Sequence, residues 1–245
     1  MTNRIAECDA IGAARFFLKN FILPNFMKSG ESRQIDDITP TKRRILICAV
    51  ELFAVQGYTE TSVRDMAAAV GIKPASLYNH FSSKEDILVF MLNDFDNNTK
   101  IMFDNPDLPS ILEKDPTPDG ILTCLHQTFS VLKNEYYAKV IQVIHHEQYR
   151  NIFVRKFVVK SLLNMEQYVE RVFSELKKLN ILRHDADPDY WKKTTPSLVY
   201  TFSSRNMLGI GQKDPDFIGM NLLDLLRYTF DMAFKIYGTS DHQSI

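Results

Sequence analysis

The stretch VGIKPASLYNHFSSKED, Val70 to Asp86, decides how this chain is read. Pro74 suits the first position of a helix, where its missing N–H leaves no hydrogen bond unmade. Leu77 and Phe81 lie four residues apart and therefore share a face, which directs Ser76, Tyr78, Asn79 and His80 away from it. Ser82 with Glu85, or Ser83 with Asp86, has the spacing of a capping box. A helix of about two turns, Pro74 to His80, thus gives way at once to another.

Working outward, Ser62 and Asp65 form a further capping box, opening the helix SVRDMAAAV that Gly71 ends. Upstream, Ile45, Ala49, Leu52 and Phe53 share one face of a helix that begins near Thr41 and stops at Gly57 in a left-handed cap, with Arg43 and Arg44 flanking that face. Downstream, Ile87, Leu88, Met91, Leu92 and Phe95 extend a longer helix to about Phe103. Two short helices around a glycine turn, braced by longer ones, make a helix-turn-helix.

Such a unit reads DNA by presenting the short helix to the major groove while its neighbours grip phosphates. Ser76 and Asn79 can bond base edges, Asn being suited to adenine, while Tyr78 and His80 can reach phosphate oxygens or a thymine methyl. Lys84 opposes the helix dipole in the first turn of its helix, which suggests use as a phosphate clamp.

Residues from Thr41 to about Leu88, roughly a fifth of the chain, resemble the DNA-binding domain of the tetracycline-repressor (TetR) family. The resemblance rests on AVELFAVQGYTETSVRDMAAAVGIKPASLYNHFSSKEDIL, in which F-x-x-x-G-Y, T-S-V-R-D-M-A, G-I-x-x-x-x-L-Y-x-H-F and S-K-E follow in order. It implies that Thr61 or Ser62 caps the second helix against a phosphate and that Tyr78, His80 and Lys84 hold the backbone. Lys73, Ala75, Ser76 and Asn79 would face bases or nearby phosphates. The chain departs from the family in having Lys73 where Ser or Thr often caps the reading helix, and Ala75 offers only apolar contact to a thymine methyl.

Composition frames the remainder. With 245 residues, 45% of them hydrophobic, the chain can bury a substantial core in one or two domains. A net charge of -1 supplies no global basic field, so DNA binding must come from a local patch. Cys8, Cys48 and Cys124 lie far apart without a CxxC pair, which argues against a disulfide framework or a four-thiolate zinc site and points to a reducing cytoplasm. No export signal is evident, and no stretch reaches about 18 uninterrupted apolar residues, so neither a membrane span nor a membrane partner is expected.

Residues 1–40 read as an amphipathic helix carrying Ile11, Ala14, Leu18, Phe21 and Ile22, followed by the linker KSGESRQIDDITP; the DNA-binding domain spans 41–88 and a helical domain 89–245. Helices are expected at about Asp119–Asn134, Glu135–Tyr149, Phe153–Leu179, Asp189–Leu208 and Pro215–Tyr237, separated by breaks at DNPDLPS, KDPTPDG, HDADPD and QKDPD. The fold class is all-α.

The resemblance implies that this second domain binds a small effector and dimerises through its last two helices. Leu222, Leu226, Phe230, Ala233 and Tyr237 form a broad apolar face suited to such an interface with Leu198 and Phe202. Dimerisation matters because two reading helices must reach major grooves about 34–36 Å apart, on a DNA site that is then palindromic. Phe129, Leu132, Ile141, His145, Phe173 and Phe202 fall on helices that could line an effector cavity, although each also suits ordinary core. The run HHEQYR holds adjacent His145 and His146, which project about 100° apart and so do not share a metal as i, i+4 pairs do. No cofactor or metal is expected.

No GxSxG, P-loop, GxGxxG or HExxH appears. The expectation is a dimeric, cytoplasmic, ligand-responsive repressor rather than an enzyme. Two rival readings stand beside it, a helical receptor or partner-binding module without operator binding, and a helical enzyme whose site is assembled from distant residues.

Overall fold

A computed structural model describes residues 38–103, 105–123, 125, 134–207 and 222–239. The N-terminal extension expected over residues 1–40 lies almost wholly outside them, as do Phe129 and Leu132. The described residues form helices and no strand; one isolated bridge pairs Leu182 with Gly238.

The N-terminal helices follow the capping signals closely. Helix α1 spans Pro40–Gln56, with Thr39 as N-cap accepting from the Lys42 amide and Pro40 in the first turn. Helix α2, Val63–Val70, opens on the Ser62–Asp65 capping box with both reciprocal bonds formed and closes on Gly71 at φ 78°, ψ 34°. Gly57 differs from expectation: its φ of 91° is paired with ψ 155°, so it ends α1 in an extended, positive-φ conformation rather than a left-handed helical cap.

Helix α3 is shorter than the spacing predicts, Pro74–Leu77, with Tyr78–His80 in the turn that follows. Its N-cap, Lys73, makes no side-chain capping bond, and a four-residue helix has few backbone bonds of its own. It is held instead by burial of Leu77 and Phe81. Helix α4, Lys84–Phe103, starts on a modified version of the second capping alternative: the Asp86 amide donates to Ser83 Oγ, while the Asp86 carboxylate accepts from the amide and hydroxyl of Ser82.

Helix α5, Leu108–Lys114, occupies part of a stretch expected as a break. Pro109 stands in its first turn, where proline starts a helix as readily as it interrupts one. Residues 118–123 are helical. Then follow α6, Glu135–Glu147; α7, Ile152–Lys178; α8, Asp189–Met207; and α9, Leu222–Tyr237, each close to the expected bounds within the described residues.

Contacts divide the chain into two compact units, Met1–Thr99 with Ser130–Val158, and Lys100–Phe129 with Val159–Ile245. The sequence places a boundary near residue 88, whereas this division keeps α6 with α1. Three polar ties explain why: Lys139 Nζ with Glu51 Oε1 at 2.5 Å, Gln142 Nε2 to Ala54 O at 3.1 Å, and the Tyr58 amide to Glu147 Oε1 at 3.1 Å. Their sequence separations of 88, 88 and 89 residues show the two helices running parallel in register. Apolar packing completes the unit, with Tyr136, Tyr137, Val140, Val143 and Ile144 of α6 joining the core of Ile45, Leu46, Ala49, Leu52 and Phe53.

In the second unit, Trp191 is the centre of the core. Its ring packs 5.4 Å from Phe173 and 5.6 Å from Tyr237, centroid to centroid, and its indole N–H donates to Thr229 O at 2.9 Å. Leu226, Phe230 and Ala233 are each about 1% exposed in this same core. At these three positions the face expected at a subunit interface packs within the chain's own second unit. Tyr237 is half-buried beside Trp191, Leu198 and Phe202 are half-buried on α8, and the side chain of Leu222 lies outside the described residues. The opposite side of α9 exposes Tyr228 (58%), Met232 (37%) and Ile236 (46%), with Leu225 half-buried on the same stripe.

Candidate nucleic-acid interface

The site is built on α3 and the turns around it. Leu77 and Phe81 anchor the segment in the core, which fixes what faces out. Lys73, Ala75, Tyr78 and Asn79 are exposed, and Ser76 and His80 are half-buried. Tyr78, at 54% exposed, is a large ring kept in solvent, as a surface contact would require.

Ser62 is exposed and caps α2, whereas Thr61 is fully buried, donating its hydroxyl to Gly57 O at 2.8 Å and accepting from Gln56 Nε2 at 3.2 Å. Of the two capping candidates, then, Ser62 alone stands where a phosphate could reach it. Arg44 is exposed, and its guanidinium donates to Val70 O at 2.7 Å, satisfying a carbonyl left open at the end of α2. Arg43 is half-buried on the same turn of α1.

The Lys84 side chain is bound to the turn between α1 and α2. Its ammonium donates to Tyr58 O at 2.7 Å, Thr61 O at 2.9 Å and Thr59 O at 3.3 Å, and stands 4.3 Å from the centroid of the Tyr58 ring. Burial lowers its pKa, with the charges of Glu147 and Glu60 acting the other way. Burial, with Glu85 and Glu147, raises that of Tyr58. Glu147 went unrecognised in the sequence, since nothing in HHEQYR signals a partner 89 residues away.

The effector candidates fall in separate units. Ile141 and His145, both half-buried, are on α6 in the first; Phe173, fully buried, and Phe202 are in the second. Burial, and then the charge of His146, lowers the His145 pKa.

Among the described residues no helix is long and apolar enough to cross a membrane. The model of the family "Bacterial regulatory proteins, tetR family" matches residues 45–89. Among curated proteins, the HTH-type transcriptional repressor KstR2 of Mycolicibacterium smegmatis is 45% identical over 58 residues, covering 23% of this chain and 28% of that protein. The negative transcriptional regulator IcaR of the biofilm operon in Staphylococcus aureus is 48% identical over 46 residues, 19% of this chain and 25% of that protein. The matched stretch thus spans little more than a quarter of these relatives.

Solved structures extend the likeness across both units. A TetR-family regulator from Mesorhizobium loti superposes with TM-score 0.59 at 17% identity, covering 81% of this chain and 97% of its own. A SmeT–triclosan complex superposes with TM-score 0.60 at 18% identity, covering 82% and 93%. At such identities these superpositions establish the fold. Residues 45–89 thus match the helix-turn-helix of the tetR family in sequence, and the described chain shares its fold with TetR-family regulators of known structure.

Proposed function

We propose that this protein is a sequence-specific DNA-binding transcriptional regulator, acting as a dimer and repressing until a small molecule releases it from its operator. The observation that carries the reading is the exposed row Lys73, Ala75, Tyr78 and Asn79 along α3 and the residues flanking it, a segment anchored in the core by Leu77 and Phe81. Ser62, Ser76, His80, Arg43 and Arg44 complete the surface that would meet phosphates and base edges. Regulators of this family act by binding rather than by catalysis. The names of KstR2 and IcaR as repressors support the sign of regulation, and the triclosan bound to SmeT supports a small-molecule effector. Ile141 and His145 on α6 are the residues through which this chain would sense it.

Dimerisation is assigned to the outward stripe of α9, Leu225, Tyr228, Met232 and Ile236, in place of the buried Leu226, Phe230 and Ala233. An exposed apolar row on one helix is self-complementary about a two-fold axis and brings two reading heads together. Palindromic operator DNA follows from that symmetry.

The test is selection of bound duplexes from a random pool, with Tyr78→Ala/Asn79→Ala as control, alongside sedimentation of Ile236→Asp. A palindromic motif lost in the control, with monomers from Ile236→Asp, is the expected outcome. Folded, dimeric protein that enriches no sequence would overturn the reading and favour an effector-binding receptor without an operator.

A further inference from the structure

The segment that carries α3 runs from Val70, at the end of α2, to Phe81. Its backbone bonds include those from Ser76 to Lys73, His80 to Leu77 and Phe81 to Leu77, at 2.9, 2.9 and 3.1 Å. A helix of four residues has few bonds to fix its own direction, so what grips its entry and its exit decides how it is presented.

Helix α1 supplies a cation to each end. At the entry, Arg44 Nη2 donates to Val70 O at 2.7 Å, the carbonyl just before the left-handed Gly71. The last turn of α2 also closes on itself there, with Ala67 O accepting from the Gly71 and Ile72 amides at 3.0 and 2.9 Å. At the exit, Lys42 Nζ stands 4.8 Å from the centroid of Phe81 and 4.7 Å from that of Phe90, two rings that meet edge to face at 5.7 Å. Phe81 is 1% exposed and Phe90 belongs to α4, so the lysine ties the end of the segment to the helix behind it.

Lys42 and Arg44 stand two residues apart near the start of α1, which Thr39 caps and Pro40 opens. That spacing turns side chains about 200° apart, so the same stretch of α1 reaches both ends of the segment. Arg44 is exposed and a guanidinium has five donors, so its bond to Val70 O leaves its place on the DNA-facing surface intact.

We propose that Lys42 and Arg44 are positioning residues for base reading: Arg44 through Val70 O, and Lys42 through the Phe81 and Phe90 rings, set the direction in which the segment presents Ser76, Tyr78 and Asn79. This rests on the reading of α3 as the DNA-contacting helix.

The experiment compares wild-type protein with Lys42→Met, Arg44→Met, Arg44→Lys and the Lys42→Met/Arg44→Met double variant. Affinity is measured for the selected duplex and for the same duplex with one base pair changed at the half-site position of strongest preference, and the ratio is taken. Loss of a phosphate contact weakens both duplexes alike and leaves the ratio where it was. Loss of positioning lowers it, because a base contact depends on its geometry. Exchange of the Ile72 and Phe81 amides, bonded to Ala67 O and Leu77 O, reports on the two ends in the free protein.

Arg44→Met should lower the ratio about tenfold and speed exchange at Ile72; Lys42→Met, which keeps an apolar stem over the rings, should lower it about threefold and speed exchange at Phe81. Arg44→Lys can still donate to a carbonyl and should stay within about twofold of wild type. The double variant should fall below either single one, since the two act at separate ends.

An unchanged ratio in the double variant, or exchange at Ile72 and Phe81 no faster than in wild type, would overturn the proposal. If Arg44→Met does not fold, Lys42→Met carries the same test at the other end. No enriched motif from folded wild-type protein would overturn the reading of α3 and this proposal with it. Faster exchange in the variants would then identify the two contacts as structural support alone.

Discussion

Helices α2 and α9 show two ways in which a sequence determines a buried face. Everything that defines α2 lies within the ten residues from Ser62 to Gly71: Ser62 and Asp65 satisfy each other's amides, Gly71 closes the end, and Met66, Ala67, Ala69 and Val70 supply the buried side. Helix α9 is apolar over a wide arc, with Asp224, Arg227, Asp231 and Lys235 gathered on the remainder, and its pattern alone does not say which part of that arc faces in. That choice is made by Trp191 and Phe173, brought from α8 and α7 against Leu226, Phe230 and Ala233. The opposite stripe, almost as apolar, is left outside. Amphipathic pattern selects an inward face only when the other side is polar.

The largest effect that would sharpen this contrast is expected at Trp191. Trp191→Ala removes the ring packed on Phe173 and Tyr237 together with the donor to Thr229 O. A loss of about 3–5 kcal/mol is expected from the cavity in a core of this kind, measured by denaturant unfolding. A loss below about 1 kcal/mol would mean that α9 chooses its inward side without Trp191, and the contrast with α2 would fail.

A smaller loss is expected in α2. Ser62→Ala deletes the acceptor for the Asp65 amide while leaving the Asp65 carboxylate to the backbone N–H of residue 62. About 1 kcal/mol of stability should go with it, as for capping residues generally. An effect as large as that of Trp191→Ala would show that the cap holds more than its own helix.

The same contrast separates what was legible in the sequence from what was not. Caps, the stops at Gly57 and Gly71, the pair Leu77 and Phe81, and the exposed Tyr78 and Asn79 all follow from short spacings, and the bounds of α6 to α8 follow from periodicity. Burial of Thr61, capture of Lys84 by three carbonyls and the hold of Glu147 on Tyr58 involve partners 4 to 89 residues away. Only the first of these is local, and even there Thr61 and Ser62 look alike until the turn at Gly57 puts one inside. The spacing marks Lys84 as a lysine set against the helix dipole, and only the fold brings the carbonyls of Tyr58, Thr59 and Thr61 to it.

The smallest effect tests α6, which joins local and distant logic: its periodicity is plain in sequence, and its partner α1 is not. Burial lowers the pKa of His145 below its ordinary 6.5, and a charged His146 lowers it further. The folded state therefore favours neutral imidazole, while the unfolded chain takes up its proton near the ordinary value. Stability from this residue is complete above about pH 6.5 and is lost as pH falls toward the folded-state value. Unfolding free energies measured between pH 7.5 and 5 should accordingly fall less steeply in His145→Gln than in wild type, since carboxylates common to both cancel in the difference. Parallel curves would mean that His145 is as well solvated in the folded protein as in the unfolded one, and that the α1–α6 packing leaves that side of α6 open to water.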